Sequence, residues 1–147
     1  MIAECRFDDY TISTDSHRLD VDVIHAFLAQ SYWASGIPRV EVEKSIQNSL
    51  CFGLYYHEQQ VGFARVVTDY TLHAYLCDVF VLPEHRGRGL GRWLMECVIS
   101  YPYLQNIRRM LLMTADCHDF YTKLGFHALS QPEFMMERTY IRYWEQD

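Results

Sequence analysis

The spacing of apolar positions changes along the chain, and each change predicts an element. Between Leu19 and Trp33, the residues Val21, Ile24, Phe27 and Leu28 fall on one helical face, with Asp20 and Asp22 in the first turn, where the dipole favours carboxylates. Gly36 ends that helix, and Pro38 suits the first position of a second one, with Val42 and Ile46 four apart. The period then becomes that of strands. Leu50–Tyr56 and Val61–Thr68 read as a hairpin joined by the polar stretch 57–60. Tyr75–Leu82 is a dense apolar run closed by Pro83, as a buried central strand would be. Leu90, Trp93, Leu94, Cys97, Val98 and Tyr101 restore the helical period until Pro102. Met110–Thr114 predicts another buried strand, and Asp116 is placed to cap a short helix over Cys117–Leu124, with Gly125 as its stop. Asp9–Thr14 and Thr139–Trp144 are expected as the first and last strands.

This order predicts one α+β layered domain over residues 1–147, with a βαβ unit in the middle. There is no internal repeat, low-complexity stretch or linker. Half of the 147 residues are apolar, enough for one packed core. Thirteen basic against 19 acidic residues give a net charge of −6, which argues against a general nucleic-acid binder but leaves room for a locally basic anion site. No run approaches the ~18 apolar residues that a membrane span needs. The N-terminus lacks a signal pattern, so a cytoplasmic protein without a membrane partner is expected. The five cysteines are widely scattered, with neither disulfide-framework nor zinc-ribbon spacing, so no metal is expected.

The densest chemistry lies after the central strand, in Arg86-Gly87-Arg88-Gly89-Leu90-Gly91-Arg92. Glycines at alternate positions allow positive φ and close approach of a ligand. The first turn of the following helix offers free N–H groups backed by the positive end of the dipole, and Arg86, Arg88 and Arg92 add charge. Together these features suit a diphosphate. The Walker A pattern is absent. The dinucleotide pattern G-x-G-x-x-G is met only at Gly87 and Gly89, because Arg92 holds the third position and Pro83–Arg86 separate strand from glycine. A nicotinamide-binding domain, with Asp116 as its ribose acid, remains an alternative.

Arg86-x-x-Gly89-x-Gly91 resembles the [RQ]-x-x-G-x-[GA] signature of the GNAT superfamily of acetyl-CoA-dependent N-acetyltransferases, and Asp119-Phe-Tyr-Thr-Lys-Leu-Gly-Phe126 resembles that family's F-Y-x-K-x-G-F block. The order of elements from residue 9 to 144 fits as well. The resemblance implies a GNAT-like acyl-CoA N-acyltransferase fold, a central mixed sheet flanked by helices, with acetyl-CoA as cosubstrate. It puts the pyrophosphate on the backbone of Gly87 through Arg92 and the pantetheine arm along Val79, Phe80 and Val81. A backbone N–H there can meet negative charge developing on the thioester oxygen. It makes Tyr121 the general acid that protonates the leaving thiolate, which its ordinary pKa of ~10 suits.

The general base stays open. Family members that carry a Glu on the central strand have it where this chain has Cys77. Asp78 is adjacent, but strand neighbours face opposite ways, so it acts as base only if the strand is bulged; otherwise it is a structural acceptor. His73 or a water chain could serve instead. His118 shares a helix face with Tyr121, so it could touch cofactor or substrate or simply be solvated. Cys117 has no basic partner, which disfavours an acyl-cysteine route. Tyr32, Trp33 and Arg65 are candidate substrate contacts, the aromatics by cation–π attraction to an ammonium or, for Trp33, merely as core. The expected reaction is direct attack of a primary amine in a ternary complex, with a small-molecule amine as acceptor. A protein Lys or N-terminal amine, and a CoA-binding sensor without catalysis, are the alternatives. A homodimer is expected at family level only.

Overall fold

Six strands lie side by side in the order in which the chain makes them. β1 (Glu4–Phe7) and β2 (Tyr10–Ser13) form a hairpin that β3 (Leu50–Tyr56), β4 (Gln59–Thr68) and β5 (His73–Val81) extend, each antiparallel to the last. β6 (Arg109–Leu112) then joins β5 in parallel. The structure is a computed structural model that describes residues 1–145. Its α-helices are α1 (Val21–Gln30), α2 (Arg39–Gln47), α3 (Leu90–Ile99) and α4 (His118–Thr122). Two compact units divide the chain: Met1–Met113, with the whole sheet and α1 to α3, and Thr114–Asp147, with α4.

The two faces of the sheet are filled by the two helical patterns. Ile24 and Leu28 of α1 and Val42 of α2 pack with Cys51, Phe63 and Phe80, and Phe80 stacks on Phe27 with ring centroids 4.0 Å apart. Strand neighbours alternate in direction, so Phe52, Leu54, Val66 and Leu76 point to the opposite face. There α3 buries Leu90, Leu94, Met95 and Val98, and Tyr101 meets Phe52 edge-on at 5.5 Å. β5, α3 and β6 form the βαβ unit expected from the sequence, with a helix as the crossover that parallel strands require. The sheet's other strand pairs are antiparallel, which removes the doubly wound architecture on which the nicotinamide alternative depended.

The helical expectations hold at their centres and shorten at their ends. Asp20 caps α1, its Oδ1 accepting from the N–H groups of Asp22 and Val23, and the helix stops at Gln30 rather than Trp33. Pro38 is the N-cap of α2. The cap of α4 is Cys117, not Asp116, whose carboxylate instead accepts from the Cys117 thiol. β1 was not expected: Glu4–Phe7 is charged and exposed for most of its length, as an edge strand can be, and the turn at Asp8 (φ 52) folds it onto β2. Thr139–Trp144 is not a strand. Residues 139–142 are irregular, and a 3-10 turn spans Tyr143–Glu145.

Two predictions follow from this core. Leu94 is fully buried between α3 and the sheet, so Leu94→Ala lowers unfolding stability by about 2–5 kcal/mol in urea titrations; a loss under 1 kcal/mol contradicts this packing. Burial pushes the Cys51 thiol up to about 12 and the Cys77 thiol to about 11, so both are protonated at pH 8. In the folded protein a thiol reagent at pH 8 therefore modifies exposed Cys117 first, and reaches Cys51 only on unfolding.

Candidate active site

The path from β5 into α3 makes a concave row of backbone donors. Gly87 (φ 79) and Gly89 (φ 77), the N-cap of α3, are left-handed, and a Cβ on either would meet nothing within 4 Å. The glycines are thus needed for the turn itself, and the space over them is open. The first backbone bond of the helix runs from Trp93 N–H to Gly89 O at 3.1 Å. From Gly87 to Arg92 no N–H reaches a backbone acceptor among the described residues. These are the orphan donors of a helix start, gathered where the dipole is positive. Arg86, Arg88 and Arg92 surround them, all exposed. Arg86 ties the loop back to the strand, its Nε donating to Val81 O at 2.8 Å, while Arg92 pairs with Glu96 at 3.0 Å. An anion such as a pyrophosphate fits this donor row in shape and sign.

Beside it, β5 has a free edge. β6 pairs only with His73–Leu76, so, among the described residues, 77–81 have a strand partner in β4 alone. Leu82 N–H donates to Val61 O at 2.8 Å, and Phe63 opposes Phe80. By alternation, the N–H groups of Val79 and Val81 turn away from β4 and face the open side. The register slips by one here, with Asp78 and Val79 opposite the single residue Ala64. Asp78 is the bulged residue, with φ 57, a left-handed conformation that Asp adopts more readily than most residues.

Three side chains fasten this bulge. Asp78 Oδ2 accepts from Arg65 Nε at 2.7 Å, Asp78 Oδ1 accepts from Trp33 Nε1 at 3.0 Å, and Arg65 Nη1 donates to Ser49 Oγ at 3.0 Å. Burial lowers the Arg65 pKa, but the Asp78 carboxylate together with the nearby Cys77 and Cys51 sulfurs holds the guanidinium above its ordinary value. Beneath the loop, His85 Nδ1 lies 2.8 Å from the hydroxyl of buried Tyr10, which joins the loop's entrance to β2.

The structure places the expected residues unevenly. Val79, Val81 and the backbone from Gly87 to Arg92 lie along the open edge and the donor row. Phe80 does not join them: it pairs toward β4, and its ring is core. Leu90 can offer only its N–H, since its side chain is buried. Arg65 is engaged within the protein, its Nε donating to Asp78 and its Nη1 to Ser49. Tyr32 and Trp33 are exposed and meet edge-on at 5.0 Å. His73 opens β5, five residues before the bulge, about 16 Å at strand rise. In the second unit, Tyr121 packs edge-on against Phe120 and Phe126 at 5.0 and 5.7 Å, and Phe126 N–H returns to Tyr121 O at 3.1 Å around Gly125 (φ 95). His118 is exposed on the same short helix. Ser49, His85 and Tyr10 escaped the sequence reading, for their partners lie far off in the chain. The described residues hold no cluster of three or more groups able to ligate a metal, and no described helix is long and apolar enough to cross a membrane.

Comparison with known proteins agrees with this geometry. The model of the acetyltransferase (GNAT) family matches residues 21–126. A Gibberella zeae protein, an acetyltransferase by name only, is 36% identical over 141 residues, covering 80% of this chain and 78% of its own. A crystal structure from Xanthomonas campestris pv. campestris, whose description places it in the GNAT family, superposes with a TM-score of 0.89 at 45% identity, covering 93% of this chain and 97% of that one. A Clostridium acetobutylicum protein described with acetyl-CoA shares the fold, with a TM-score of 0.62 at 15% identity over 95% of this chain and 96% of its own. With a donor row and an open strand edge in the places where its signature residues fall, the chain belongs to the GNAT family of acetyltransferases.

Proposed function

We propose that this protein transfers the acetyl group of acetyl-CoA to a primary amine, by direct attack in a ternary complex, with a small-molecule amine as acceptor. One observation carries the reading: the unsatisfied N–H row from Gly87 to Arg92 adjoins the one stretch of β5 left without a neighbour on one side. The first suits a pyrophosphate and the second suits an extended amide-bearing arm. The family model runs through both units, which supports treating residues 1–147 as one acetyltransferase domain.

Acetyl-CoA supplies the acetyl group as an activated thioester. Gly87, Arg88, Gly89, Leu90, Gly91 and Arg92 hold its pyrophosphate by backbone N–H groups, and Arg86 braces the loop. The N–H groups of Val79 and Val81 pair with the arm and meet charge developing on the acyl oxygen. Tyr121, by its place in the F-Y-x-K-x-G-F block, donates the proton that the departing thiolate needs. An alkyl amine with a pKa near ~10 arrives mostly protonated and must lose a proton before attack. Exposed Trp33 and Tyr32 offer aromatic faces to that cation. A protein Lys or N-terminal amine is the second acceptor class, distinguished by screening peptides beside small amines.

Acetyl-CoA at ~100 times its Kd raises apparent stability by about 2.7 kcal/mol, read as a saturable upward shift of the thermal midpoint, while NADH gives none. A shift with NADH alone would remove this reading. Tyr121→Phe binds acetyl-CoA as the wild type does and loses about 10²-fold in transfer rate; an undiminished rate takes the acid role from Tyr121. A wild type that binds acetyl-CoA but acetylates nothing in a broad amine panel is a sensor rather than an enzyme.

A further inference from the structure

The bulge in β5 gives Asp78 an exposed-edge neighbour, Val79, but leaves its own carboxylate little freedom. Both oxygens already accept hydrogen bonds, from Arg65 Nε at 2.7 Å and Trp33 Nε1 at 3.0 Å. The Asp78 side chain is 9% exposed and that of Arg65 17%, so this is a largely desolvated pair. A base needs an oxygen turned to the amine, and each oxygen of this carboxylate is already turned to a donor of its own. The pair does something else well. Arg65 lies on β4 and Trp33 follows α1, and both converge on one left-handed residue, while Ser49, just before β3, accepts from Arg65. A left-handed non-glycine residue in the middle of a strand persists only when its surroundings hold it there.

We propose that Asp78 is a positioning residue and not the base: Arg65 and Trp33 grip its carboxylate so that the bulge keeps its left-handed turn and Val79 keeps its N–H on the open edge. The proposal rests on the acetyl-transfer reading. It gives Arg65 and the indole N–H of Trp33 roles as clamp partners, and it fastens the aromatic segment after α1 to the strand that meets the thioester. The amine then loses its proton to solvent by a route that omits Asp78.

The test compares amide spectra of the ¹⁵N-labelled full chain with acetyl-CoA and with CoA, and needs no acceptor. In the wild type the Val79 amide moves more with acetyl-CoA than with CoA. Asp78→Asn, which keeps one acceptor oxygen and tolerates positive φ but gives up the ion pair with Arg65, loses less of that difference than Asp78→Ala does. Asp78→Ala and Arg65→Gln lose at least half of it. Trp33→Phe keeps a ring and drops only the N–H, so it reports on the clamp even if the buried variants fold poorly. CoA affinity, set by Gly87 to Arg92, stays within about threefold in every folded variant. With the best amine of the screen, Asp78→Ala falls about 10²-fold in kcat, as misplacement does, while Asp78→Asn falls tenfold or less, at constant KM for acetyl-CoA. The proposal is overturned if Asp78→Asn loses as much rate as Asp78→Ala while the Val79 difference survives in all variants, the behaviour of a lost base. A wild type that binds no acetyl-CoA is a different failure, for it removes the acetyl-transfer reading itself.

Discussion

A strand that loses its neighbour halfway along must either be covered or be used. β5 is parallel to β6 over four residues and then runs on with β4 on one side and, among the described residues, no strand paired on the other. That parting supplies the backbone groups at Val79 and Val81, and the bulge at Asp78 sets how they face. The rest of the first unit can be understood as what keeps this half-free strand rigid. Phe80 anchors it from below, stacked on Phe27 and buried with Phe63. Arg65, Ser49 and Trp33 hold the bulge from the same side of the sheet.

The other face serves the loop. Leu90, Leu94, Met95 and Val98 seat α3 on the sheet, so the helix N-terminus and its unsatisfied donors come to a fixed place at the end of β5. Arg86 Nε on Val81 O and His85 against Tyr10 shorten the slack between strand and helix. The donor row and the open edge are therefore built from opposite layers and meet through one strand. A donor row worth little in water becomes useful because it is preorganised, needing no reordering when an anion arrives.

Much of this was legible in the sequence because it is local. The glycines at 87 and 89, the arginines around them and the apolar stripe from Leu90 onward state the loop and its helix in consecutive residues. The central strand announced itself by unbroken apolarity. What stayed hidden depends on contacts between distant residues. Phe80 looked like part of the cofactor edge, because the pattern shows that it is in the strand but not which way its amide points. Arg65 looked available because Asp78 and Ser49 are remote from it in sequence. β1 was missed because an edge strand with a charged, exposed face carries no burial signal. Thr139–Trp144 has strand-like residues, but residues 139–142 are irregular and Tyr143–Glu145 forms a 3-10 turn, because strand propensity alone does not make a ladder. The sequence allowed a bulge at Asp78 without requiring it, since Asp marks tolerance of left-handed backbone rather than its presence.

In the proposed function the open edge of β5 and the donor row beside it act as a single cradle. Hydrogen exchange on the full chain, with and without CoA, tests this directly. The account predicts that CoA slows exchange at the amides of Val79 and Val81 and across Gly87 to Arg92 together, while the amides of β1 and β2, remote from the cradle in the sheet order, are unchanged. Protection of the loop without the strand edge, or protection confined to other elements, would contradict it.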